Sequence, residues 1–388
     1  MLTFKSFTGI NNVLPTHRLG ESDLVRALDV NIGLTGDVTR RGGFVELSNQ
    51  CHKNTHQAQG FMLATCGAVL TAIHPNGARH VIHPALGYER VWYCNLPDGR
   101  TTFTNGLING ITDGLTGWEW GVSSPSAAGS IKDVPGVLPK GKYAYHLTFR
   151  RLSDGAESAA VSAPPTQIDQ GGIYLSGLPM LSGHELVVYL STADGEGAYL
   201  AGSTTTDEFL FTGAAHSLVL PCRTIGAMPL PLGTITAFWR GRVLVAQGSV
   251  LWASRPMTPH LADWRDFKPM GAKITAVVPV EDGIYVGTAD DLVFLGGSTW
   301  DQLTFSATQR GPVVPGSGIA APGEKIQLGG GAGSRSAMIC IAGGEIVAGF
   351  GGGQTTLLSG GRYKTTAIEV CATFREVDGI PQYLAVPQ

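Results

Sequence analysis

Two acidic pairs are the first residues in this chain that could do chemistry: Glu281-Asp282 in "VEDGIY" and Asp290-Asp291 in "TADDLV". Two carboxylates about 5–10 Å apart across a sugar can hydrolyse a glycosidic bond. Each pair, however, lies between two apolar runs and beside residues that favour turns, so both read as hairpin turns. His80 and His83 in "RHVIHP" have the look of a metal pair. On a strand, positions i and i+3 face opposite sides, which argues against joint ligation.

"GVLPKGKY", residues 136–143, comes within one residue of a phosphate-binding loop. Gly136, Gly141 and Lys142 are correctly spaced, but Tyr143 stands where a Ser or Thr hydroxyl would meet Mg²⁺. The residues that follow alternate as a strand, whereas the anion needs a helix N-terminus. "GEGAY" and "GGGAGSRS" are Gly-rich without the G-x-G-x-x-G spacing, and no G-x-S-x-G elbow occurs. No catalytic, cofactor-binding or metal-binding set emerges, and the chain is expected not to be an enzyme.

The aromatics and the paired arginines offer binding instead. Trp118 and Trp120 in "GWEWG" share a strand face, with Tyr88, Trp92 and Tyr93 nearby. Exposed, they would stack on sugars; packed, they would fill the space between sheets, and the second reading is favoured. Arg40 and Arg41 could bind phosphate or pair with the carboxylates of a neighbouring subunit, the possible subunit contact; as a solvated turn they would do neither. Cys51, Cys66, Cys94, Cys222, Cys340 and Cys371 are widely spaced with no C-x-x-C, and read as buried thiols rather than as disulfides or a zinc site.

The elements that position these residues are strands. In "GRVLVAQGSVLWASRP", residues 241–256, two apolar runs flank Gln247, Gly248 and Ser249. That is a tight hairpin. It hardly alternates, so both of its faces must be covered. The scheme recurs: "ITAFWRGRVLVAQGSVLWAS" from Ile235 and "ITAVVPVEDGIYVGTADDLVFLG" from Ile274 open alike, about 39 residues apart. The blades of a β-propeller repeat at about 40–45 residues, and neighbouring blades shelter both faces of inner strands. Looser copies are "GFMLATCGAVLTAIHPNG", "ERVWYCNLPDGRTTFTNG" and "AMICIAGGEIVAGFGGG", with a partial one in "AIEVCATFREVDGIPQYLAV". Five or six blades are expected, the last completed by pairing of the two chain termini. A short helix, capped by Ser22, is expected in "ESDLVRALDV".

Residues 136–228 break the pattern. In "GKYAYHLTFRRLSDGAESAAVSAPP", Tyr143, Tyr145, Leu147 and Phe149 alternate with Ala144, His146 and Thr148, and Asp154-Gly155 makes a turn. The expected organisation is therefore all-β. A β-propeller, residues 1–135 and 229–388, is interrupted at 136–228 by an immunoglobulin- or fibronectin III-like β-sandwich.

Composition agrees. Charged residues are 15% of the 388, against about 25% in ordinary soluble domains. The 54 Gly and 22 Pro are scattered, as in a turn-rich chain. A net charge of −3 gives no basic footprint for nucleic acid. No apolar stretch is long enough for a membrane span, and "MLTFKSFTGINNV" lacks the apolar core of a secretion signal. Synthesis in the cytoplasm is expected.

Certain segments resemble a known family. "FTGINNVLPTHRL" and "ALDVNIGLTGDVTRRGGF" look like the opening of virion structural proteins of tailed bacteriophages. The matching residues are Gly9 to Asn12, Ala27 to Ile32, and Arg40-Arg41-Gly42, with Asp29 and Asn31 interchanged relative to the family's habit. "LWASRPMTPHLADWRDF" is similar to a recurrent motif there, carried by Trp252, Ser254, Pro256 and Trp264. The insert resembles the fibronectin type III-like modules of phage structural proteins. The resemblance implies a tail component: a nozzle or tail-hub ring, hexameric, bound to neighbouring tail or adaptor proteins. DNA would meet it only in transit through the lumen. A virion location without cofactor follows from the same resemblance. The alternative is a carbohydrate-binding or glycan-cleaving propeller.

Overall fold

The computed structural model describes residues 6–33, 35–43, 45–46, 48–326, 335–377 and 379–388. The chain is all-β; among the described residues the only helical elements are 3-10 turns of three residues. No helix among them is long and apolar enough to cross a membrane.

Outside the insert, five antiparallel sheets of four strands each follow one another along the chain. Their first strands are Lys53–Gln57, Trp92–Asn95, Thr234–Trp239, Ile274–Val280 and Ile319–Pro322. A two-stranded hairpin, Val370–Val377 with Ile380–Pro387, comes last. The turns inside the sheets carry the chemistry hairpins need. Arg240-Gly241 have φ of 47° and 83°, and Gly343-Gly344 have 57° and 80°. Two positive φ values in a two-residue loop match the right-handed twist of the strands. Arg240 tolerates its conformation while its guanidinium donates to the carbonyls of Ser298 (2.7 Å) and Glu281 (2.6 Å) on the fourth sheet.

Side-chain alternation explains the greasy hairpins. Along Arg242–Gln247, Val243 and Val245 join a cluster with Cys94, Ile111 and Trp120 of the second sheet. Leu244 and Ala246 point the other way, into a cluster with Ile284, Val286 and Leu295 of the fourth. The fourth sheet repeats this: Ile284 and Val286 face the third sheet, while Tyr285 faces Met338, Cys340 and Val347 of the fifth. The sheets are stacked face to face in chain order, and a strand of period two buries both of its faces. The approach is close enough that a Cβ on Gly349 would lie 2.5 Å from Tyr285 Cζ.

Residues 130–211 hold two further sheets that share one core. Ser130–Pro135, Gly171–Ser176 and Glu208–Phe211 form one sheet; Val161–Ser162, Tyr145–Arg151, His184–Ser191 and Ala198–Thr204 form the other. Tyr143, Tyr145, Leu147 and Phe149 enter its core together with Ile173, Leu175, Leu186 and Val188, as their alternation requires. The opposite positions are covered too: Thr148 Oγ1 donates to Glu157 (2.5 Å) and His146 pairs with Ser162 (2.7 Å). The strand Ser130–Pro135 pairs within this layer, so the sandwich begins before residue 136. It is anchored to the sheets by Arg151, which donates to the Glu119 carbonyl (2.9 Å) and ion-pairs with Asp154 (2.8 Å). His260, from the third sheet's loop, meets the Glu157 carbonyl at 2.8 Å.

Two expectations fail in the N-terminal region. Residues 21–30 form no helix. The Asp23 carboxylate instead accepts from Gly20 N (3.1 Å), Thr8 Oγ1 (3.0 Å) and Asn11 Nδ2 (3.2 Å), and Leu24 pairs in parallel with Ile10. A side chain that satisfies nearby backbone in this way competes with helix formation. Nor do the described N-terminal strands pair with the C-terminal hairpin. Val30–Ile32 and Val38–Arg40 pair only with each other. The arm is tied down elsewhere, through Asn12 to Lys364 (2.7 and 2.8 Å) and Arg362 (3.0 Å).

Candidate functional site: the polar axis

The inner strands converge on a cavity of about 860 Å³. Bulges re-aim the side chains there, because an extra residue bends the strand and breaks its alternation. One falls between Lys53 and His56, where Asn54 has φ of 49°; another lies at Ile235, with φ of 22°. Positive φ is strained for a β-branched residue such as Ile235.

Asn54 is the hub of the wall. It donates through Nδ2 to Thr65 Oγ1 (3.0 Å) and the Glu89 carbonyl (3.2 Å), and Oδ1 accepts from Val91 N (3.2 Å). Its own carbonyl accepts the Tyr93 hydroxyl at 2.8 Å. The His56 ring stacks on Tyr93 with centroids 4.9 Å apart, and its Nε2 meets Asn95 Oδ1 at 2.9 Å. Burial lowers the His56 pKa, with the Asn95 contact opposing it, and burial raises that of Tyr93. Both shifts favour the neutral forms, and in the structure the two rings serve as hydrogen-bonding wall.

A second cavity of about 700 Å³ adjoins the first and includes Lys273 and Thr275 in its lining. Arg90, Trp92 and Glu369 line both cavities. The Arg90 guanidinium lies 4.3 Å from the Trp92 ring centroid and 2.6 Å from Glu369. Glu369, the carboxylate shared by both linings, is thus already ion-paired, while Glu89 lines the second cavity beside it. Among the described residues no group of three His, Cys, Asp or Glu is placed to hold a metal ion.

The residues singled out from sequence are scattered and mostly spoken for. Asp282 accepts Gly352 N at 2.6 Å, and Asp291 accepts Gln309, Arg310 and Gly311 N between 2.8 and 3.1 Å. Both are turn-organising carboxylates that tie one hairpin to the next. His80 packs edge-on against His74, and His83 against Phe103, so they serve different neighbours. Lys142 lies on the strand Gly141–Tyr143, and the Tyr143 hydroxyl donates to Pro139. Trp120 is buried with Nε1 on the Pro259 carbonyl (3.0 Å), Trp118 packs beside it, and Tyr88 is exposed. Ser254 receives Val243 N at 2.9 Å, a structural role inside the hairpin. Gly329 to Ser334 of the Gly-rich run lie outside the described residues.

Arg40 and Arg41 are exposed at the end of the arm hairpin, Arg41 Nε reaching Asn31 at 3.4 Å. All six cysteines are free, but only Cys94 and Cys340 are buried, and Cys51 and Cys371 are exposed, against the expectation of uniform burial. Burial pushes the Cys94 and Cys340 thiols up to about 12, which leaves them inert. Sequence reasoning missed the Asn54–His56–Tyr93–Asn95 network, whose members are up to 41 residues apart. Their only local signal is polar residues inside two strand patterns.

No protein-family model matches the chain, and no curated protein matches it. Among solved structures, the Dos1 propeller aligns over 89% of this chain and 76% of its own at 9% identity and a TM-score of 0.34. The Neurospora crassa Pan2 WD40 domain aligns over 84% and 83% at 9% identity and 0.33. Citrobacter koseri AztD aligns over 91% and 92% at 12% identity and 0.26.

Proposed function

We propose that this chain is a non-enzymatic building block of a larger protein assembly, and that the assembly is a bacteriophage tail, in a ring-forming nozzle or hub. The five sheets with the terminal hairpin would be its propeller, and the sandwich its fibronectin type III-like insert. One observation supports an assembly above all. Of the described residues 6–50, only Asn11 and Gly36 are buried, although the segment is hydrogen-bonded into short strands. Val25, Leu28 and Val45 stand exposed along it. Burial of apolar area is what offsets the entropy of ordering a chain, and this arm has almost none of its own. It needs a surface outside the chain. The phage setting rests on the sequence resemblance, whose basic pair Arg40-Arg41 sits in this arm.

The test is to locate the chain in purified virions, by tail fractionation with mass spectrometry and by electron microscopy of the particle. The reading expects a fixed number of copies at the tail. A chain absent from virions and found as a free monomer would overturn it.

A further inference from the structure

The stack of sheets is unfinished in one place. Five sheets have four strands, whereas the last position holds only Val370–Val377 and Ile380–Pro387. The inner strand is secured: Val370 N and Ala372 N donate to the carbonyls of Pro315 (3.1 Å) and Gly316 (3.2 Å). One face, with Phe374 and Tyr383, packs on the fifth sheet. The other face carries Cys371, Leu384 and Val386; none belongs to a core cluster, and Val386 is 60% exposed. Ile380–Pro387 pairs with its hairpin partner alone among the described residues.

The first sheet mirrors this gap. Leu63, Leu70 and Ala72 pack toward the second sheet; on the opposite face Ala64 is buried, while Met62, Val69 and Ile73 are half-buried and Val81 is exposed, all four outside every core cluster. Its inner strand borders the same axial cavity as Cys371 and Ala372. A four-stranded last sheet would cover both faces; among the described residues it has two strands.

The arm supplies an element of that size. Val30–Ile32 and Val38–Arg40 form a two-stranded hairpin that pairs with nothing else. Three residues is also the length of the outermost strands Gly117–Glu119, Phe267–Pro269 and Thr355–Leu357. Within one chain the hairpin makes no strand pairing with the last sheet. Its turn is tied back by Phe7 N on the Gly36 carbonyl (2.8 Å), and the arm's base is fixed by Asn12 to Lys364 and by Asp23 to Arg362.

We propose that the open edge at Ile380–Pro387 is extended by the Val30–Arg40 hairpin of a second copy of this chain. This deepens the building-block reading and rests on it. Strand addition to an exposed edge draws affinity from main-chain hydrogen bonds and specificity from the alternating side chains. Arm and edge are different surfaces, so the contact is head-to-tail, the type that closes into rings. It places Arg40 and Arg41 in the subunit contact.

Two full-length variants test this. Val38→Lys charges the donor hairpin and Val386→Lys the acceptor edge; both positions are exposed, and circular dichroism with thermal melting checks that each variant folds. Charge on an edge blocks pairing. By sedimentation velocity the unmodified chain self-associates with rising concentration, and each variant alone is weakened at least about tenfold. An equimolar mixture forms a one-to-one dimer and stops, because only one arm and one edge remain intact. If both variants assemble as the unmodified chain does, this contact is wrong while the building-block reading survives. If the unmodified chain stays monomeric, or if Val38→Lys lowers the melting temperature of a monomer by opening a contact within one chain, the proposal is overturned.

Discussion

Two hairpins of this molecule share a pairing scheme and differ in surroundings and in sequence: the second carries Arg375, Glu376 and Gln382 where the first is almost wholly apolar. Residues 242–253 and residues 370–387 both pair antiparallel around a short turn, and both are rich in Val, Leu and Ala. In the first, Leu244, Val245 and Leu251 are wholly buried; in the second, only Val370 is buried among the described residues. The strands differ in polarity, and their cover differs with it. The first has a neighbouring sheet on both faces, the second on one. Local sequence decides that a hairpin forms, and the stack decides what the hairpin is worth.

The largest expected effect compares core truncations. Leu244→Ala leaves a hole between two sheets and should cost about 3 kcal/mol, whereas Leu384→Ala should cost under about 1 kcal/mol in the monomer. Urea unfolding followed by tryptophan fluorescence reads both; equal losses would break the comparison. Next is close approach. Gly349→Ala forces a Cβ to within 2.5 Å of Tyr285 Cζ and should destabilise by about 1–3 kcal/mol. Gly379→Ala meets no atom and carries only its positive φ of 76°, about 1 kcal/mol.

Acid sharpens the contrast further. Burial is the main cause that lowers the pKa of His56, His146 and His260 from 6.5. The unfolded chain binds protons at these sites more readily than the folded one. Stability is therefore full above about pH 6.5 and falls as pH drops below it. Melting temperature measured between pH 7.5 and 5.5 should decline, and His260→Gln should flatten the decline by removing the histidine at the sandwich junction. The smallest effect is kinetic: Cys371 should react with a thiol reagent in the native protein, and Cys340 only on unfolding.

Much of the fold is legible from single runs of residues. The non-alternating strands at 243–246 and 250–253 demand two covers, and Tyr143 to Phe149 declare a sandwich face. What the chain hides is non-local. Asn54, Tyr93 and Asn95 meet only once two sheets are stacked, so no spacing announces the polar axis. The helix expected at 21–30 failed because its apolar spacing says nothing of Asp23, whose carboxylate captures three donors. Ser130–Pro135 shows no clean alternation of its own, and its pairing with Gly171–Ser176 becomes visible only in the structure. "AIEVCATFREVDGIPQYLAV" reads as a partial unit, but which strands would complete it is invisible in the sequence.

Amide hydrogen exchange of the monomer, read by mass spectrometry on peptides from 242–253 and 370–387, tests most directly whether cover on both faces separates the two hairpins. The account predicts that amides of 243–253 exchange only through global unfolding, and that those of 380–387 exchange much faster and slow down at concentrations where the chain associates. Equal protection of the two hairpins in the monomer would contradict it.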